Sequence, residues 1–284
     1  MGEDGSMLRR RQLGGELRRL RGTRTIKEVV DELHRSSAWL SRIETAQEGA
    51  VIRPAELREL ARIYGITDDQ RVNQLLNLLT ASTKRDDWWE PYKDVLPSGL
   101  ETFVGLESDA RREQSFEPLI VPGLLQTAAY ARAMYAVDRT RDSAATERLV
   151  TMRLERQRAL TRESARLELH AILDEAALRR VVGGPAVMRE QIEHLLAAAD
   201  LPNVLVQILP LDLGAHVGMA GAFSLLAFDE NAIVYVDSPA GNLYLEKPRD
   251  VRRFTADFEQ LSATAHDPQA SASLLKRIAK DYAR

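Results

Sequence analysis

Apolar residues follow two rhythms along this chain. From Gln12 to about Ser82 they recur at three- and four-residue intervals: Leu13, Leu17 and Leu20; then Leu57, Leu60, Ala61, Ile63 and Tyr64; then Val72, Leu75, Leu76 and Leu79. That spacing predicts amphipathic helices, and Thr67-Asp68-Asp69 reads as the start of the last one. Helical spacing returns from Thr102 to about Arg166, with Leu124, Ala128, Ala131 and Tyr135 along one face and Pro118, Pro122 and Gly123 as breaks. After Arg166 the period shortens. Leu167 to Leu173 alternates like a strand, and short β-rich runs follow at Val204–Leu209, Ala222–Phe228, Ala232–Val236 and Asn242–Leu245, divided by Gly, Pro, Asn and Asp. Helices are expected at Glu175–Val182, Pro185–Ala198, Pro248–Leu261 and Ser271–Tyr282.

These rhythms divide the chain into a flexible basic arm (1–11, ending in Arg9, Arg10 and Arg11), a helical domain (12–82), a linker (83–98) and a larger domain (99–284). The expected fold class is an all-α N-terminal helix-turn-helix domain plus an α+β C-terminal domain with a mainly antiparallel sheet.

The turn is legible between Leu13 and Tyr64. Thr25 is a suitable cap for a helix Ile26–Leu33, and Glu28, three residues on, completes a capping box. His34-Arg35 makes a tight turn, and Ser36 caps a second short helix running to Thr45. Leu33, Leu40 and Ile43 fix the angle between the helices. Ser37, Ala38, Ser41 and Arg42 then face outward, and small hydroxylated side chains allow close approach to base edges in a major groove. Arg24, Thr25, Arg35, Ser36 and Trp39 flank that surface and complete the expected DNA-contacting set.

Charge supports a nucleic-acid partner for this part only. The whole chain of 284 residues carries a net charge of -3, yet residues 1–85 hold 16 Lys and Arg against 12 Asp and Glu, while the rest holds 23 against 30. A basic head can rest on phosphate while an acidic body stays clear of it. With no cysteine in the sequence there is neither a disulfide framework nor a thiolate metal site. No apolar run approaches the length of a membrane span and no secretory signal is evident, so a soluble, cytoplasmic protein is expected.

The N-terminal segment resembles the XRE, or Cro/C1-type, family of helix-turn-helix regulators. The matching residues are Leu17-Arg18-Arg19-Leu20-Arg21, Thr25, Leu33 and Leu40-Ser41-Arg42-Ile43-Glu44. The resemblance implies a structural ion pair between Arg19 and Glu44. Two positions depart from the family pattern: His34 replaces the usual turn glycine, and Ile26 stands where a phosphate-binding glutamine is common. From about Trp88 onward the chain resembles the Scr1-like domain of unknown function found in actinobacterial regulators. The strings that carry this are Phe116-Glu117-Pro118-Leu119-Ile120-Val121-Pro122-Gly123-Leu124-Leu125-Gln126-Thr127, Leu173-Asp174-Glu175-Ala176-Ala177-Leu178-Arg179-Arg180 and Val206-Gln207-Ile208-Leu209-Pro210.

The larger domain shows no nucleophile–base set, so the protein is not expected to be an enzyme. Asp174 and Glu175 are adjacent on a strand end and point apart; a helix cap followed by a first-turn acid explains them better. His170, His194 and His216 lack metal-ligand spacing, so neither a metal nor a cofactor is expected. Trp88, Trp89 and Tyr92 seal the junction of the two domains or else form a ligand or partner surface. His216, in a glycine-rich loop, and Tyr235, Asp237 and Tyr244, along a sheet rim, are the other candidates for an effector or partner site.

Two functions are therefore in view. One is a sequence-specific regulator, acting as a homodimer on double-stranded DNA and responding to a small-molecule effector or a small acidic partner protein. The other is a protein-interaction module, antitoxin-like or a developmental scaffold, with little operator selectivity.

Overall fold

The computed structural model describes residues 5–47, 50–83, 88–97, 99–229, 231–238 and 241–283. The chain divides into two compact units, Met1–Trp88 and Trp89–Arg284.

The first unit is built from helices α1 (Gly5–Arg21), α2 (Ile26–Leu33), α3 (Ser37–Glu44), α4 (Pro54–Ile63) and α5 (Asp69–Thr83). Its core is the apolar set the spacing predicts: Leu13, Leu17, Val29, Val30, Leu40, Ile43, Leu57, Leu60, Ala61, Leu75 and Leu79. Helix α1 begins at Gly5, so the expected free arm is wrong for residues 5–11, which extend the helix; residues 1–4 lie outside the described residues. Gly14 sets how closely α1 and α3 approach. A Cβ there would sit 2.5 Å from the Ile43 carbonyl oxygen and 2.8 Å from that of Glu44, inside van der Waals contact.

The second unit begins earlier than the expected linker allows. Trp89 is buried, and the short 3-10 turn Glu90–Tyr92 follows it. Asp94 accepts two hydrogen bonds of 2.7 Å from Arg148, so this stretch is anchored rather than free. Residues 84–87 and 98 of that linker lie outside the described residues.

The remaining elements are α6 (Leu100–Asp109), β1 (Arg112–Glu117), α7 (Ala128–Tyr135), α8 (Ser143–Gln157), β2 (Glu168–Asp174), α9 (Glu175–Arg179), α10 (Pro185–Ala199), β3 (Val204–Leu209), β4 (Phe223–Ala227), β5 (Ala232–Val236), β6 (Leu243–Leu245), α11 (Pro248–Thr264) and α12 (Pro268–Asp281). The strands form one sheet in the order β3-β2-β1-β4-β5-β6. It is mixed, not mainly antiparallel: β1 pairs parallel with β2, and β2 with β3, while β4, β5 and β6 run antiparallel. The expectation failed because β1 falls inside the stretch read as helical. Once β1 is a strand, the helical segments α7–α8 and α9–α10 become crossovers, and crossovers join parallel strands.

Strand alternation gives the sheet two chemically different faces. One carries Phe116, Ile172, Phe223, Leu225 and Val234 and packs under Phe258 and Leu261 of α11. The other carries Glu113, Ser115 and Ser224, all buried. Over it, Arg156 of α8 makes a buried bidentate pair with Glu107 of α6, at 2.8 and 2.6 Å.

Candidate nucleic-acid interface

The α2–turn–α3 segment is held by local chemistry. Thr25 caps α2: its hydroxyl accepts from the Glu28 amide at 3.2 Å, and Glu28 accepts from the Thr25 amide at 2.7 Å and from its hydroxyl at 2.8 Å. These contacts, the backbone amide foremost, hold the Glu28 carboxyl below its ordinary value. His34 ends α2 in the left-handed region, φ 52° and ψ 40°, and its amide donates to the Val30 carbonyl. A glycine would take that conformation without strain. Ser36 caps α3 by accepting from the Trp39 amide at 3.2 Å.

With both ends fixed, α3 turns Leu40 and Ile43 into the core. Ser37, Ala38 and Arg42 are exposed, and Ser41 is half-buried. Arg35 pairs with Glu56, and its guanidinium lies 5.5 Å over the Trp39 ring. Trp39 Nε1 donates to the Val51 carbonyl at 3.2 Å. The two side chains thus brace the turn while flanking the exposed face. Thr25 and Ser36 are occupied as caps, and Arg24 donates to the Ile63 carbonyl at 2.6 Å.

The tertiary structure adds a residue that sequence spacing does not reveal. Arg53, the residue before α4, joins Arg35 and Arg42 around a cleft of about 250 Å³ that is also lined by Trp39, Ala50, Val51 and Glu56. Glu56 is already engaged by Arg35 and accepts from the Arg53 amide at 2.7 Å. Three arginines thus line a cleft that holds one committed carboxylate. Arg53-Pro54 at a helix start was the only local signal, and nothing in it foretold proximity to Arg42.

The expected Arg19–Glu44 pair is not formed. Glu44 is held instead by Arg21, through Nε at 2.7 Å and Nη2 at 2.9 Å, while Arg19 pairs with Glu16. Helical phase explains the exchange. Arg21 lies four residues after Leu17 and seven after Gly14, on the face against α3. Arg19, two residues after Leu17, points about 200° away from it.

The candidate effector residues do not form one site. Trp88 ends the first unit and Trp89 opens the second. Tyr92 is half-buried, with its phenol pushed up by burial and by Glu155. His216 packs edge-on against Phe116, with ring centroids 5.9 Å apart, and its Nε2 lies 3.4 Å from Asp174 Oδ2. It is therefore on the α11 face and turned inward. Tyr235 and Tyr244 are paired across β5 and β6 on the opposite face. Tyr235 is buried against Phe103, at 4.2 Å between rings, and not on a rim. Burial, then the charge of Asp237, raises its phenol above the ordinary value. Tyr244 donates to the Gly99 carbonyl at 2.9 Å, and Asp237 is exposed just past β5. Asp174 and Glu175 do what spacing predicts: Asp174 caps α9 by accepting from Ala176, and Glu175 occupies the first turn. Among the described residues no group of three or more His, Cys, Asp or Glu is arranged to hold a metal ion, and no helix is long and apolar enough to cross a membrane.

Comparison with known proteins gives two matches. A family model described as a domain of unknown function (DUF5753) covers residues 100–277, and one described as a helix-turn-helix domain covers residues 12–74. No curated protein and no solved structure matches the chain.

Proposed function

The chain belongs to the DUF5753 family, with a helix-turn-helix domain ahead of that domain, and from this premise we propose that it is a sequence-specific DNA-binding transcriptional regulator of the XRE type. One observation carries the reading. The outward face of α3 presents Ser37, Ala38, Ser41 and Arg42, and among the described residues none of these side chains is tied to another part of the protein, while the helix behind them is capped and packed. A rigid helix with a short-chained outer face and a flanking arginine is what entry into a major groove demands. Arg35 and Arg53 stand beside it, where phosphate contacts would fix its register.

In this reading the protein acts in the cytoplasm as a homodimer on a pseudo-palindromic operator, because paired recognition helices require paired half-sites. The larger domain, similar to the Scr1-like domains of actinobacterial regulators, senses a small molecule or a partner protein and catalyses no reaction.

Selection of bound sequences from a random DNA pool tests the core of the proposal. An enriched site is expected. The joint change Ser41→Ala and Arg42→Ala should weaken binding to it by roughly 1–3 kcal/mol for each side chain that reads a base edge. Binding to the selected site that is unchanged by the double substitution would refute α3 as the reading helix.

A further inference from the structure

Outside the nucleic-acid face, an unassigned site lies at the terminal edge of the sheet in the second unit. β3 is the terminal strand on that side, flanked by α10 and α12. Between them is a cavity of about 360 Å³ whose walls include Leu196, Val204, Val206, Ala272 and Leu275. Val204, Val206 and Leu275 are buried. Its size falls in the range of small-ligand pockets.

The floor of this cavity is chemically unfinished. The amide of Ile208 donates to Ser271 Oγ at 3.0 Å, and its carbonyl accepts from the His266 amide at 2.9 Å. Both groups therefore point away from β2. Asn203, of opposite parity, turns its carbonyl toward the Leu169 amide of β2. By the two-residue period of a strand, the amide and carbonyl of Val206 also point outward, into the cavity. Among the described residues no group meets them, although Val206 is only 3% exposed. A buried main-chain donor and acceptor both left open is rare in a finished fold.

The rim carries one charge of each sign. Asp200, at the end of α10, and Lys276, on α12, both line the cavity and are exposed. Neither makes an ion pair or side-chain hydrogen bond among the described residues.

We propose that this cleft binds a short free peptide, two or three residues long with an apolar side chain. One peptide residue pairs with Val206 through an amide and a carbonyl, as an added strand does. Its side chain enters the wall formed by Leu196, Val204 and Leu275. Its ammonium meets Asp200 and its carboxylate meets Lys276. A molecule with this donor–acceptor pair and both terminal charges answers the open main-chain groups of Val206 and the two rim charges. The inference supplies an effector class for the regulator proposed above, but its test involves no DNA, so either can fail without the other.

The probe is the tripeptide Ala-Val-Ala added to the full-length protein. Val206 amide exchange is followed by NMR, and affinity by calorimetry. Saturable binding at millimolar peptide, with slowed exchange of the Val206 amide, is expected. Lys276→Glu lies on the surface and should weaken binding by about fivefold, the scale of an exposed charge pair. Methylating the central peptide nitrogen should abolish the Val206 effect. Absence of Val206 protection at saturating solubility of the peptide would overturn the proposal. So would equal binding of the acetylated, amidated tripeptide, which would make the cleft a seat for an internal segment of a longer chain.

Discussion

Two buried carboxylates show how strongly context decides the effect of a single residue. Glu44 is nearly inaccessible, with its side chain 3% exposed, and is matched by Arg21. Removing one partner of such a pair strands the other without water or counter-charge. Arg21→Ala is therefore expected to destabilise the first unit by about 3 kcal/mol, and Arg19→Ala, on the solvated face, by less than about 0.5 kcal/mol. Urea unfolding of the two variants checks both. Glu113 is the contrasting case. Ser224 donates to its Oε1 at 3.1 Å, while Oε2 has no hydrogen-bond partner. Burial first, then the charge of Glu107, push its carboxyl up to about 8, against an opposing pull from Arg156. Glu117 is also pushed up to about 8, by burial and then by Asp237. Between the ordinary value of 4.5 and about 8, the folded chain holds a proton on Glu113 that the unfolded chain has released. The contribution to stability is thus complete below 4.5 and is lost as pH rises toward 8. The second unit should lose stability progressively over that interval, and Glu113→Gln should flatten the decline in denaturant midpoint against pH. An unchanged slope in the variant would contradict this assignment.

At the level of elements, the turn between α2 and α3 holds the most informative residue. His34 sits at φ 52°, a region in which a side chain is strained and glycine is not. His34→Gly should stabilise the first unit by about 1 kcal/mol, the usual scale of the left-handed penalty, visible as a higher thermal midpoint. The helices of this unit were legible because their signals are local. Thr25 with Glu28, and Ser36 ahead of Leu40 and Ile43, declare starts, caps and inward faces within a few residues. β1 was not legible for the converse reason. Its sequence, Arg-Glu-Gln-Ser-Phe-Glu, has one large apolar residue, and its buried Glu113 and Ser115 look like surface positions. It becomes a central strand only through ladders to β2 and β4, whose partners lie some 56 and 110 residues away in the chain. A pattern read in short windows cannot contain those partners.

For the whole molecule, the separation into two units with their own apolar cores predicts that a fragment beginning at Trp89 unfolds cooperatively by itself; a fragment lacking a cooperative transition would show that the division is not energetic. Charge is likewise divided between the two parts. The net charge of -3 gives no hint of affinity for DNA, yet Arg35, Arg42 and Arg53 converge on one cleft. Binding to the selected site should weaken steeply with salt, and Arg53→Ala should reduce the log–log slope by about 1, the value of one phosphate contact. Titrations at several salt concentrations provide the measurement.

The sequence by itself determined what neighbouring residues decide: the five-helix core of the first unit, the caps of α2 and α3, the outward set on α3, and most strands and helices after Arg166. Only the tertiary structure decided the rest. It chose Arg21 over Arg19 for Glu44, brought Arg53 beside Arg42, buried Tyr235, turned His216 inward, and made the sheet mixed around an inconspicuous first strand. Capping and periodicity act over one or two turns of chain, whereas ion pairing, burial and strand order depend on which distant segments the packed core brings together.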